Sequence, residues 1–252
     1  MDVSDKVAVV TGSSSGVGRA VAELLARRGA SVVVNYAHSA EDAEAVVASI
    51  RAAGGTAHAV RADVGRDGDC RALIRSAVET YGALHILVNN AGMTHFIPHQ
   101  DFEAVTDEVW EDTFRTNVQG TFNCTRAAAP HLKAAGEGAV VNVASIAGVR
   151  GVGSSIPYAA SKAAIITMTK SFARVLGPEV RVNCVAPGFI DGRWLRGGLG
   201  DRYDGAKAAT AASTPLRGVA TPEAVADAIY GLIAHQIFVT GQTVVVDGGA
   251  SL

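Results

Sequence analysis

Val7-Ala-Val-Val-Thr11-Gly12-Ser-Ser-Ser-Gly16-Val-Gly18-Arg19, continued by Ala20-Val-Ala-Glu-Leu-Leu-Ala-Arg-Arg-Gly29, decides the fold. A short β-branched apolar run reads as a strand buried on both faces, and the segment after Gly16 carries apolar residues at helical spacing. Between them lies G-x-x-x-G-x-G. Strand, glycine turn and helix together aim free backbone N–H groups at a phosphate. Gly12 permits the sharp exit from the strand, Gly16 lets backbone approach a pyrophosphate, and Gly18 lets the helix pack close to the sheet. The stretch is therefore a candidate dinucleotide site, with Ser14, Ser15 and Val17 beside the glycines.

Outward from this unit, strand and helix patterns alternate with short turns and no linker. Strands are expected over 6–11, 31–35, 57–62, 84–89, 138–144, 180–186 and 243–246. Helices are expected over 16–29, 39–53, 67–81, 107–135 with a break near 117, 155–176 and 222–233. Such alternation predicts an α/β, Rossmann-like doubly wound fold: a seven-stranded parallel sheet with helices on both faces. Residues 1–252 read as a single dinucleotide-binding and catalytic domain. The glycine-rich excursion at about 188–212 follows the sixth strand, where doubly wound sheets bind ligands, and is expected to be a mobile substrate lid.

Ser145 and the run Tyr158-Ala-Ala-Ser-Lys162 carry the candidate chemistry. Tyr and Lys at i and i+4 share a helix face about one turn apart. A free phenol titrates near pH ~10, and a neighbouring cation is expected to bring it toward the working range. Ser145 adds a hydroxyl able to hold a substrate oxygen beside the phenol. Tyr-x-x-x-Lys alone is more often an ordinary amphipathic helix; the rest of the chain tips the balance.

Composition sets bounds. Hydrophobic residues make up 48% and charged residues 18% of 252, with a net charge of −2. No basic block favours nucleic acid or an anionic membrane, and no apolar run approaches the ~20 residues of a membrane span. The first strand starts within a few residues of Met1, which leaves no room for a signal peptide. Cys70, Cys124 and Cys184 are scattered without metal spacing, so no metal site and a cytoplasmic, reducing location are expected.

Thr11-Gly12-x-x-x-Gly16-x-Gly18, Asn89-Asn90-Ala91-Gly92, Asn117, Ser145, Tyr158-x-x-x-Lys162 and Pro187-Gly188 occur in the order of the short-chain dehydrogenase/reductase family, which the chain resembles nearly end to end. The nearest likeness is to the branch holding 3-oxoacyl carrier-protein reductases, glucose dehydrogenases and polyol or naphthol reductases. The resemblance implies a nicotinamide-dependent oxidoreductase in which Tyr158 is the acid or base and Ser145 holds the substrate oxygen. It has Lys162 lower the Tyr158 pKa and hold the nicotinamide ribose. It also implies that Asn117 breaks its helix and ties a water to Lys162. Asp63 and Val64 would hold adenine, though Asp63 competes with a helix-capping role. Asn90 would lie beneath a ribose, Ala91 and Gly92 would let backbone approach, and Asn89 would brace neighbouring strands. Pro187, Gly188 and backbone at Ile190 would face nicotinamide, with Gly192 standing where many relatives have Thr.

The second strand ends Asn35-Tyr36-Ala37-His38-Ser39, without the acid that binds the ribose 2′-OH in NAD-selective sites. Asn35, Tyr36, His38 and Ser39 offer neutral or weakly cationic hydrogen-bonding groups instead. NADP is the preferred cofactor on this reading, with NAD possible, since no Arg or Lys stands at 36–39. The expected activity is reduction of a ketone or 3-oxoacyl group. One alternative is an NAD(P)-dependent sugar or polyol dehydrogenase; another, of a different class, is a non-catalytic cofactor-binding regulator. The expected partners are a small-molecule carbonyl or alcohol and, by resemblance through helices 107–135 and 155–176, three further copies in a homotetramer.

Overall fold

The computed structural model describes residues 1–252. Its seven strands are β1 (Val7–Val10), β2 (Ser31–Tyr36), β3 (Thr56–Arg61), β4 (Ile86–Asn89), β5 (Gly138–Val143), β6 (Val180–Pro187) and β7 (Thr243–Val246). They form one sheet in the order β3-β2-β1-β4-β5-β6-β7, and every pairing is parallel. The order reverses beside β1, so the carboxyl ends of β1 and β4 open a crevice. β1, β4 and β5 are buried along their whole length, which is why they read as continuous apolar runs rather than alternating ones.

Helices cover both faces. α1 (Gly16–Arg27), α2 (Ala40–Ala52) and α10 (Pro222–Ala234) close one side over Ala8, Val10, Val32, Val34, Val141 and Val185. α3 (Asp67–Tyr81), α5 (Gly120–Ala134) and α7 (Ile156–Leu176) close the other over Val7, Val9, Val33, Leu87, Val140 and Val182. Alternate residues of one strand thus feed two cores, and each fully buried Val or Leu contributes about 1.5–3 kcal/mol.

The expected break near 117 is real. α4 (Asp107–Phe114) runs into a π-helical turn at Arg115–Gln119 before α5 begins. Two features depart from expectation. A one-turn helix, α6 (Ala147–Arg150), follows Ser145. The glycine-rich excursion is mostly helical: α8 (Arg193–Leu199), a 3₁₀ turn at Gly200–Arg202, and α9 (Tyr203–Ser213). Ala206, Ala208, Ala209, Ala211 and Ala212 favour helix over the second half, and Pro215 stops it. The excursion still buries little: α8 has no buried residue and α9 only Tyr203.

Candidate active site

A cavity of about 1120 Å³ runs along the carboxyl edge of the sheet. At one end it meets Gly12, Ser15, Gly16 and Val17; in the middle Asn90, Ala91 and Gly92; at the other end Ser145, Tyr158 and Lys162. The glycine turn packs tightly against the end of β4. Gly12 has φ +59°, and a Cβ there would lie 2.9 Å from Ala91 Cα. A Cβ at Gly18 would lie 2.5 Å from both Asn90 Nδ2 and Gly12 O. No side chain can be added at either position without moving backbone. Asn90 Nδ2 donates to Thr11 O and Gly12 O at 2.9 and 3.0 Å, which locks the turn to the end of β4.

Ser14, Tyr36 and Ser39 do not reach the cavity wall. Tyr36 packs against the α1–α2 core, and Ser39 stands at the exposed N-terminal boundary of α2. Asn35 lines the cavity, yet its side chain is spent inside the protein. Its Oδ1 accepts from Gly12 N at 3.0 Å, and Nδ2 donates to Ala62 O at 3.0 Å, Val60 O at 3.3 Å and Tyr36 O at 3.4 Å. Ser13 is likewise internal, donating to Val10 O at 2.7 Å and accepting from Asn35 N at 3.0 Å. His38 remains on the wall. Arg19 is held by Glu23 at 2.9 Å.

Asp63 and Val64 line the adenosine side. Asp63 Oδ1 accepts from Gly65 N at 2.9 Å, while Arg115 of the π turn approaches Oδ2 at 3.3 Å. Asp63 is not the cap of α3, and neither is Asp67, which lies inside the helix paired with Arg71 and Arg126. Asn89 braces the sheet as expected, donating to Thr125 Oγ1 at 3.0 Å and Asn142 Oδ1 at 2.9 Å.

Three elements deliver the catalytic group. Ser145 follows β5, its Oγ accepting from Ala147 N at 3.1 Å at the start of α6. Tyr158 and Lys162 ride on α7, which Ser155 caps by accepting from Tyr158 N at 3.3 Å, with Pro157 in the first turn. Asn117 comes from the π turn. Its Oδ1 accepts from Met93 N at 2.8 Å; its Nδ2 donates to Met93 O at 3.0 Å and Ser161 Oγ at 2.9 Å. That amide clamps the loop after β4 to α7. Asn117 Oδ1 and Lys162 Nζ converge on Gly92, at 3.3 and 3.4 Å from where a Cβ would stand.

The electrostatics correct one expectation. Burial pushes the Tyr158 phenol up to about 12, and only a hydrogen bond with Ser145 pulls the other way. Burial likewise brings Lys162 down to about 8, opposed by Cys184. The ammonium donates to Val143 O at 2.9 Å and lies 5.5 Å from the Tyr158 ring centroid. Lys162 therefore does not by itself lower the phenol; desolvation wins.

Phe96, Ile146, Ala147, Gly153, Phe189, Trp194 and Leu195 line the cavity around this end, together with Pro187, Gly188 and Ile190 from the end of β6. Trp194 of the lid lies 5.9 Å from the Tyr158 ring and 6.2 Å from Phe96, centroid to centroid. Thr94, His95, Arg196 and Arg202 lie off the wall. Gly192, in place of the expected Thr, donates its N–H to the Tyr203 hydroxyl at 3.2 Å, and that hydroxyl and Lys207 both grip the Asp191 carboxylate. Sequence reasoning missed this Asp191–Tyr203–Lys207 clasp, because it has no local motif.

A cleft that starts at a phosphate-sized turn and finishes at a buried phenol, hydroxyl and ammonium suits one class of enzyme, the oxidoreductases that interconvert CH–OH and C=O. The chain belongs to the short-chain dehydrogenase family, whose pattern matches residues 6–197. It is 49% identical over 246 residues to a Streptomyces violaceoruber protein assigned as ketoacyl reductase 2 of the granaticin polyketide synthase, covering 98% of this chain and 96% of that one. It is 37% identical to a 3-oxoacyl-[acyl-carrier-protein] reductase of Staphylococcus aureus, covering 97% of each. Among solved structures, one assigned as a short-chain dehydrogenase/reductase from Burkholderia xenovorans superposes with a TM-score of 0.91 at 37% identity, covering 98% of both chains. No helix is long and apolar enough to cross a membrane.

Proposed function

We propose that this enzyme is an NADP(H)-dependent reductase of a ketone or 3-oxoacyl group. The carrying observation is that Ser145, Tyr158 and Lys162 line the same cleft as the glycine turn. A phenol held near about 12 stays protonated at neutral pH and is ready to donate to an oxygen that becomes strongly basic as it gains charge. The relatives named as ketoacyl and 3-oxoacyl reductases point the same way. The assembled Asn117, Ser145, Tyr158 and Lys162 weigh against a regulator without turnover.

The bound cofactor supplies the hydride, from C4 of its nicotinamide. Ser145 holds the substrate carbonyl oxygen, and Tyr158 gives that oxygen its proton. Lys162, charged below about 8, places its ammonium beside the Tyr158 ring and stabilises negative charge as the proton leaves. Asn117 positions Lys162 by tying α7 to the loop that carries Gly92. Trp194 and Phe96 keep water from the reacting end. Backbone at Gly12, Ser15, Gly16 and Val17 would hold the pyrophosphate, Asp63 and Val64 the adenine, and Asn90 to Gly92 the central ribose. Pro187, Gly188 and Ile190 would face the nicotinamide. The absence of an acid over 36–39 supports NADP(H) over NAD(H).

Exposed apolar residues on two faces support a homotetramer: Phe122 and Val175 on α5 and α7, and Val244 and Val245 on β7. Three free cysteines suit a cytoplasmic location. A panel of ketones, 3-oxoacyl thioesters, sugars and polyols, followed by the absorbance of reduced cofactor, tests the reading. Turnover of polyols with the oxidised cofactor, and of no carbonyl with the reduced one, would overturn it.

A further inference from the structure

No Arg or Lys stands at 36–39; Arg61, from the end of β3, donates to Ala37 O at 3.3 Å but does not line the cavity, and the structure supplies another cation from the opposite side. Besides His38, four cationic side chains reach the cavity: Arg115, Arg150, Lys162 and Arg193. Three have posts of their own. Lys162 lies at the Tyr158 end. Arg115 is paired with Asp63 and Asp112. Arg150 donates to Ala250 O at 2.8 Å.

Arg193, the first residue of lid helix α8, points the other way. Its guanidinium lies 2.9 Å from Asp42 Oδ2, in the first turn of α2, across 151 residues of sequence. The pair joins α8 to α2 four residues beyond His38, and Arg193 and His38 both line the cleft. Both partners face solvent, with side chains 73% and 42% exposed. Such a pair is worth little and exchanges readily. A guanidinium offers a planar fork of donors matched to phosphate, and a phosphate monoester dianion outcompetes a single carboxylate for it.

We infer that Arg193 recognises the cofactor's 2′-phosphate, releasing Asp42 to do so, and that cofactor choice is therefore read by the lid. With a 2′-hydroxyl in that place, Arg193 stays on Asp42. The inference rests on the NADP(H) reading above and names the residue that would carry it. It also explains how the second strand can end in Asn35-Tyr36-Ala37-His38 without a basic residue.

Calorimetric titration of the full-length protein with NADP⁺ and with NAD⁺ separates the two claims. Four proteins are compared: the parent, Arg193→Gln, Asp42→Asn and Arg196→Gln. Arg196 lies one turn along the same helix, off the cavity, against Asp204 and the Tyr203 ring. The parent should bind NADP⁺ more tightly than NAD⁺. Arg193→Gln should lose roughly ten- to hundredfold of NADP⁺ affinity and leave NAD⁺ unchanged. Asp42→Asn should tighten NADP⁺ by about two- to fivefold. Arg196→Gln, which removes the same charge, should change neither. A parent that does not favour NADP⁺ defeats the NADP(H) reading itself. A parent that favours it while Arg193→Gln keeps the preference, or while Arg196→Gln loses as much, overturns the role of Arg193.

Discussion

Gly148→Ala changes no side chain that meets substrate or cofactor, and it should nearly silence the enzyme. Gly148 sits in α6, the single turn that follows Ser145, pressed against α7 at the Lys162–Ala163 peptide. A Cβ added there would lie 2.5 Å from Lys162 C, 2.5 Å from Ala163 N and 2.8 Å from Lys162 O. All three are backbone atoms inside a 21-residue helix, so none can swing aside. Ordinary contact begins near 3.4 Å, so α6 must retreat. Ser145 goes with it, because its Oγ accepts from Ala147 N and its carbonyl accepts from Gly148 N at 3.0 Å. A displacement of roughly 1 Å between Ser145 and Tyr158 costs turnover on the order of 100-fold. Overpacking of this kind costs about 1–3 kcal/mol, which lowers the Tm of a domain this size by a few degrees to roughly 10 °C. Differential scanning calorimetry and steady-state kinetics read the two effects separately. Cofactor affinity, measured by titration, should stay near the parent's. Parental kcat in a Gly148→Ala protein would refute the claim that this contact sets the Ser145–Tyr158 distance.

Tyr158→Phe should bind cofactor like the parent and lose roughly 10²–10⁴-fold in kcat, because only the proton donor is removed; substantial residual turnover would dismiss Tyr158 as the acid. Lys162→Ala should weaken cofactor binding and lower kcat together, and a defect confined to Tm would count against both roles. In the reductive direction kcat/KM should hold below pH about 8 and fall above it, since Lys162 titrates there and its charged form lies on the low-pH side. The Tyr158 limb sits near about 12, so a profile flat to pH 10 would contradict the need for a charged Lys162. Amides of α8 and α9 should exchange hydrogen faster than those of β4 and β5, given how little the lid buries; equal protection in a mass-spectrometric exchange series would count against a lid that opens.

Much of the architecture was legible along the chain for identifiable reasons. Val7 to Val10 and Gly138 to Val143 lie in strands buried on both faces, and so their apolar runs are unbroken. The break at the π turn came from the family resemblance at Asn117, since an Asn mid-helix by itself reads as a solvated surface residue. Ser155, Pro157 and Tyr158 mark a helix start by local chemistry alone. The parts that stayed hidden depend on partners remote in sequence. Four residues, 147–150, are too few to show periodicity. The glycines of 192–205 masked the helices of the lid, whose order comes from the Asp191–Tyr203–Lys207 clasp. Asn35 looked free for a ligand because its partners are remote in sequence, on Gly12, Val60 and Ala62. The low-dielectric setting of Tyr158 likewise depends on the whole surrounding core, and spacing to Lys162 could not report it.

Asn35 places a limit on how this enzyme can change its diet of cofactors. Protein engineers seeking a switch toward the cheaper NAD⁺ would naturally introduce an acid at the end of the second strand. At position 35 that route is closed. One amide there receives the Gly12 N–H and feeds three carbonyl oxygens on two strands. A carboxylate could keep the first bond, but it has no hydrogens for the other three and would set its charge against them. The substitution would unfasten the glycine turn from the sheet before any ribose arrived. Evolution faces the same arithmetic, so adaptable positions must be sought at the exposed His38 and Ser39 or on α8, where a change of charge leaves the scaffold intact.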